Sequence, residues 1–268
     1  MAKPVATRVR LPRGVPRVHR GRGSAAVRGH HLRRRPPAVS RAAAGQRPGG
    51  SAADAGSPRA PRLGGLATAT RDELLAELDW YDVSVTCELS GAPLGQLQVR
   101  GARFSSVPLV STDLQGARLI DAAFDGCDLS GARFDEAALT RCEFRDCRLS
   151  GVQFNASRAN DVRFVGCRLD GASFRMVHGE RVWFEDCILT EAEFCAAELT
   201  RVRFERCDLT AADFSQARIP DADLRGSIVE GLRGVGGLQR PIIDAAQVVP
   251  FAYSLMAVHG VVIRGDEE

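Results

Sequence analysis

The sequence predicts an all-β solenoid, and three observations predict it. Across residues 87–231 a large apolar residue returns at every fifth position with few exceptions, as in Leu119, Phe124, Leu129, Phe134, Leu139, Phe144, Leu149 and Phe154. Phenylalanine returns every ten residues from Phe124 to Phe214. Cysteine returns every twenty, at Cys127, Cys147, Cys167, Cys187 and Cys207. A helix turns about 100° per residue, so positions five apart point in different directions. A straight strand alternates faces, so an odd period would put successive centres on opposite sides. A chain that turns a corner every five residues sends every central residue into one shared interior, which is how a solenoid is built.

The number of sides follows from stacking. Like residues stack when their spacing is one full coil, so a twenty-residue coil has four sides. One side then carries Phe104, Phe124, Phe144, Phe164, Phe184 and Phe204, and the opposite side Phe134, Phe154, Phe174, Phe194 and Phe214. Leu or smaller residues fill the two sides between. A small residue sits two before each centre, and Gly is common two after, as at Gly126, Gly131 and Gly151. The expectation is a quadrilateral β-helix of about seven coils, ~35 Å long at the spacing of paired strands.

These residues resemble the pentapeptide-repeat family, whose consensus is Ala-Asp/Asn-Leu-x-x. Ala222-Asp223-Leu224-Arg225-Gly226 matches it outright, and Ala212-Asp213-Phe214-Ser215-Gln216 does so with Phe for Leu. The resemblance implies a right-handed helix, a handedness that the periodicity does not give. It also implies a bacterial protein and, as one class of partner, type II topoisomerases, which some members bind by imitating duplex DNA.

Residues 1–65 form a basic arm rich in Arg, Pro, Ala and Gly, with fifteen Lys+Arg against the single acid Asp54. Without apolar periodicity it cannot offset its ordering entropy, so it reads as disordered. Three roles stay open. Arg33–Arg35 suits phosphate, so the arm binds nucleic acid if it belongs to the native protein. An Arg-rich, acid-poor stretch also suits a transit peptide. The third reading is a mis-assigned start near residue 66, consistent with one lysine, Lys3, against thirty-five arginines. No apolar run has the length of a signal-peptide core or a membrane span, so the expected location is the cytoplasm.

Residues 66–86 read as an N-terminal cap. Thr70 and Glu73 make a capping-box pattern, and Leu74, Leu75 and Leu78 a stripe, predicting a helix over 70–81 with Trp80 and Tyr81 in the lid. Residues 232–268 break the period and read as a C-terminal cap. Asp244 and Gln247 repeat the capping pattern ahead of a helix of about 245–258, ended by Gly260, with Val261-Val262-Ile263 extended behind. Besides capping, the second role weighed for this segment is a homodimer contact, which C-terminal segments provide in some members of the family.

The weakest place in the solenoid is one side across two coils, where Ala159 and Gly179 replace Leu. Either a bulge or a cavity should result, unless Met176 or Val177 moves inward. Trp183 falls at an outward position and is a candidate partner contact.

No catalytic constellation emerges. Seven of the eight cysteines, Cys87 and Cys142 with the five of the ladder, hold the small inward position and read as packing. Cys195 falls outward, as the candidate reactive thiol. With no Cys-x-x-Cys, a zinc site is unsupported. His178 and His259 are the histidines outside the arm, and neither a Gly-x-Ser-x-Gly elbow nor a phosphate-binding Gly-x-x-x-x-Gly-Lys is present. The expectation is a non-enzyme with no cofactor, no metal and no small-molecule substrate. It would serve as an interaction scaffold of unidentified partner or, alternatively, as a DNA-mimicking binder of gyrase. Residues 87–231 carry seventeen Arg against twenty-three acids. The sides of Leu129 and Phe134 are mildly negative, and arginines such as Arg133, Arg148, Arg163, Arg168 and Arg203 interrupt the continuous acidic stripe that mimicry requires.

Overall fold

The computed structural model describes residues 57–261. Nine parallel strands form one sheet wound along the solenoid: β1 (Ala67–Thr68), β2 (Asp79–Val85), β3 (Gln98–Ser105), β4 (Arg118–Asp125), β5 (Ala138–Arg145), β6 (Arg158–Val165), β7 (His178–Glu185), β8 (Glu198–Thr200) and β9 (Arg203–Glu205). The chain makes about seven coils. The twenty-residue period is the register itself: Phe104 pairs with Phe124, then Phe144, Phe164, Phe184 and Phe204.

The four sides differ in how they pair. Each strand from β3 to β7 covers two sides and passes the corner between them without leaving the sheet. The other two sides pair through single bridges, such as Asp128 to Arg148 and Arg133 to Gln153. Corners take left-handed backbone. Gly126 (φ 62°) and Gly131 (φ 66°) meet that need without strain, whereas Glu136 (φ 58°) and Ala211 (φ 58°) adopt it against the Cβ penalty.

Inside, the two phenylalanine ladders meet. Rings one coil apart stack with centroids 4.8 Å apart for Phe144 and Phe164 and 5.0 Å for Phe194 and Phe214. Between ladders the rings meet edge to face, as Phe184 and Phe194 do at 87°. Each such ring is buried, and full burial of one stabilises by about 1.5–3 kcal/mol. The ladder thiols of Cys127, Cys147, Cys167, Cys187 and Cys207 are buried and unbridged, each donating to the phenylalanine carbonyl twenty-three residues before it at 3.4–3.5 Å. Burial pushes the nearby Cys142 thiol up to about 12.

The weak place resolves as a cavity. β6 and β7 keep unbroken register, with Ala159 opposite Gly179, so no bulge forms. A void of about 10 Å³ lies between Leu139, Phe164, Phe184 and Leu199. Val177 points inward, while Met176 stays exposed at a left-handed corner and does not fill it. A side chain at Gly179 would overlap the carbonyl oxygen of Ala159. Ser157 lines the void with a buried hydroxyl that has no partner.

Three expectations need correction at the ends. The N-terminal helix α1 covers only Arg71–Ala76, with the Thr70–Glu73 capping box in place. Trp80 and Tyr81 lie instead in β2, which turns a corner at Asp82 (φ 48°), buries Trp80, Val83 and Val85, and pairs with β3 to satisfy the edge of the first coil. Trp80 still closes the end: it is buried, lies 6.2 Å from the Phe104 ring, and donates Nε1–H to the carbonyls of Leu74 and Glu77.

At the other end Asp244 caps a short 3₁₀ turn, Ala245–Gln247, and α2 runs Val248–Val258 with Pro250 tolerated in its first turn. Gly260 (φ 68°) ends it, and the Val261 amide donates back to Met256. Val262 and Ile263 lie outside the described residues.

The third correction concerns the arm. Residues 1–56 lie outside the described residues, but 57–65 rest on the solenoid rather than apart from it. Arg59 and Arg62 donate to Asp161 and Asp121, contacts 102 and 59 residues apart that composition cannot reveal.

Candidate interaction surfaces

The outward side chains follow from the coil. Beside each buried centre the flanking residues point out, so side chains twenty residues apart form rows down each side. Many rows are ion pairs between coils: Arg141 with Asp121 at 2.6 Å, Arg181 with Asp161 at 2.5 Å, Arg206 with Asp186 at 2.7 Å, and Arg163 with Glu185 at 2.6 Å. The Arg141 guanidinium holds the Asp121 carboxyl below its usual range. The more exposed of these pairs, such as Arg206 with Asp186, contribute about 0–1 kcal/mol each, and together the rows intersperse charge over the surface. Arg133, Arg148, Arg163, Arg168 and Arg203 are all within 4.0 Å of a carboxylate. The side of Leu129 has the largest excess of acid over Arg, with Glu88, Glu191 and Glu230 exposed and Arg148 and Arg168 as its two cations.

Trp183 is half-buried rather than free. The Arg203 guanidinium lies over its ring, 4.3 Å from the centroid, a cation–π contact between neighbouring coils. Beside it Arg203, Glu205, Arg206, Asp223 and Arg225 surround a shallow groove of about 330 Å³. Its cations are paired to its own acids, Arg225 with Asp223 at 2.7 Å among them.

Cys195 is partly accessible, but burial and the nearby Asp213 raise its thiol above the ordinary value, which lowers its reactivity. His178 and His259 are not brought together: the first contacts the Met176 carbonyl at 2.9 Å on β7, and the second caps α2. Among the described residues no three His, Cys, Asp or Glu are placed to hold a metal, and no helix is long and apolar enough to cross a membrane.

Sequence reasoning offered this segment a homodimer contact but did not single out the exposed residues of α2. Of its eleven residues only Phe251 and Ser254 are buried. Val248, Val249, Tyr253, Leu255, Met256 and Val258 are exposed, and the helix carries no charge at all. The signal that could have found this face was present: an uncharged, mostly apolar run, broken by Ser254, in a segment that must cap with one side only.

The family comparison covers most of the coils. The model of the pentapeptide repeat region matches residues 85–154 and 137–214. Over that stretch the chain belongs to the pentapeptide-repeat family. Among solved structures it is similar to full-length QnrB1, a plasmid-mediated fluoroquinolone resistance protein, at 20% identity over 65% of this chain and 99% of that one, TM-score 0.41. It is also similar to HetL, a pentapeptide repeat protein involved in heterocyst differentiation regulation from the cyanobacterium Nostoc, at 18% identity over 61% and 86%, TM-score 0.29. A third is a pentapeptide repeat protein of the Arabidopsis thaliana thylakoid lumen, at 26% identity over 41% and 67%, TM-score 0.28. No curated protein matches the chain.

Proposed function

We propose that this protein is a non-enzymatic interaction scaffold, which pairs with a second copy of itself through α2 and offers the sides of its solenoid to a protein partner. The observation that carries the reading is the face of α2. An uncharged helix with six large apolar side chains exposed on one end of a regular solenoid is a surface that water disfavours. A second copy is the occupant favoured by its chemistry. The face lacks charge, so two copies meet without like-charge repulsion, and a two-fold contact requires only one self-complementary patch. Sedimentation of the full chain beside Val249→Glu tests this: the native chain should sediment as a dimer and the variant as a monomer.

The second reading is a gyrase-binding DNA mimic, and the acidic side of Leu129 favours it. The interspersed pairs along the other rows count against a continuous stripe. A supercoiling titration separates the two readings. Inhibition by the full chain at micromolar concentration or below, abolished by replacing Glu191 and Glu230 with Arg, supports the mimic. Unchanged supercoiling far above that concentration excludes gyrase as the partner.

A further inference from the structure

The segment 57–63 crosses the coils along one corner, and its contacts have a register. Arg59 meets Asp161 and Arg62 meets Asp121, two carboxylates two coils apart. Two coils span roughly 10 Å, and three extended residues span about the same. The match lets the chain place a donor on each carboxylate without bending. Pro58 and Pro61 favour that extended form before docking, since proline fixes its own φ and disfavours helix in the residue ahead of it.

Asp161 is the anchor. Its side chain is fully buried at a left-handed corner (φ 57°), where a lone carboxylate would be costly. Arg181 donates from the adjacent coil at 2.5 and 3.2 Å. Arg59 closes the other side with its backbone N–H at 3.1 Å, Nε at 2.9 Å and Nη2 at 2.7 Å. At Asp121 the arrangement repeats more weakly, with Arg141 from the coil and only the backbone N–H of Arg62, at 2.9 Å, from the segment. Burial alone would push the Asp161 carboxyl up, but the bonds from Arg181 and Arg59 outweigh it and hold it well below the usual carboxylate range.

Behind the segment lies a hinge. Gly64 and Gly65 separate it from β1. A side chain built at Gly65 would meet nothing within 4 Å, and at Gly64 only the Asp82 carboxylate at 3.9 Å. So a strongly anchored segment is joined to the body by two unpacked glycines.

We propose that the Asp121–Asp161 corner is a docking track for an extended arginine-bearing segment, and that residues 57–63 occupy it as a latch opening about Gly64 and Gly65. The latch changes what the corner presents. Closed, it covers Asp161 and shows the guanidinium of Arg59, whose side chain is 60% exposed. Open, it shows the Asp161 carboxylate between Arg141 and Arg181. The ligand class is an extended peptide with arginine three residues before a second backbone donor, with proline beside it. None of this depends on the partner or on the dimer.

Amide hydrogen exchange on the full chain tests the latch. The amides of Arg59 and Arg62 should be protected, and Arg59→Ala should speed exchange at both by at least tenfold while β3–β7 stay unchanged. Arg59→Lys, which keeps the charge but loses the paired donors, should recover only part of the protection. Raising salt should speed exchange in the native chain and have little effect on Arg59→Ala. Exchange at Arg59 already at the free-peptide rate in the native chain, or unchanged by Arg59→Ala, overturns the latch.

The track is tested separately in the Arg59→Ala chain, whose segment has lost its guanidinium anchor and keeps only backbone donors. The peptide Ser-Pro-Arg-Ala-Pro-Arg-Leu should shift the resonances of Asp121, Asp161 and Arg181 saturably in the millimolar range, the scale at which a short tether competes. The same peptide with Ala for its first Arg should not. Absence of shifts, or equal shifts from both peptides, overturns the track.

Discussion

The two ends of the solenoid solve one problem differently. Each exposes the apolar interior of a terminal coil and needs a lid. At the first coil the lid is used up: Leu74 and Trp80 are buried, the indole N–H is satisfied, and β1 and β2 continue the sheet past the edge. At the last coil Phe251 is buried, but most of the helix that carries it remains apolar and exposed. The difference separates a cap whose apolar side chains are used up from one that leaves most of them exposed.

The largest effect should come from breaking the closed end. Trp80→Ala removes a buried ring and two hydrogen bonds and should cost about 3–5 kcal/mol, read from denaturant midpoints, with no change in mass. At the open end Val249→Glu should do the reverse, halving the mass while changing monomer stability by under about 0.5 kcal/mol, because this side chain is exposed.

Between the ends, Ser157→Ala should stabilise by about 1 kcal/mol. It removes a buried hydroxyl that has no partner and restores the alanine found at the same place in the coil at Ala137 and Ala197.

The smallest effect concerns pH. The Asp161 carboxyl titrates lower folded than unfolded, so its contribution is fully present above the unfolded value of about 4 and is lost as pH falls towards the folded value. Protection of the Arg59 amide, relative to the free-peptide rate at the same pH, should therefore fall below about pH 4, and much less so in Asp161→Asn.

The same contrast marks what the sequence could show. The coil was legible because every rung repeats one demand: Phe at a centre, Cys or Ala two before it, Gly where the corner turns. Both capping boxes were legible because their residues are three apart. The end of α1 was not, since Leu78 and Trp80 fit a helical stripe as well as a strand, and only the open edge of β3 decides. The docking of Arg59 on Asp161 was hidden for a different reason. Residues 57–63 share the composition of the basic stretch before them, and their partners are corner aspartates among many. The exposed face of α2 was visible as an apolar run, but the side it buries depends on where the last coil places Phe251.

The mass of the full chain in solution, by sedimentation equilibrium across a range of concentrations, tests the central claim most directly. The native chain should run at twice the 28.9 kDa chain mass, and Val249→Glu should convert it to a single chain. A native chain that remains at 28.9 kDa at every concentration would contradict it, and would mean that the open end of the solenoid needs no second copy.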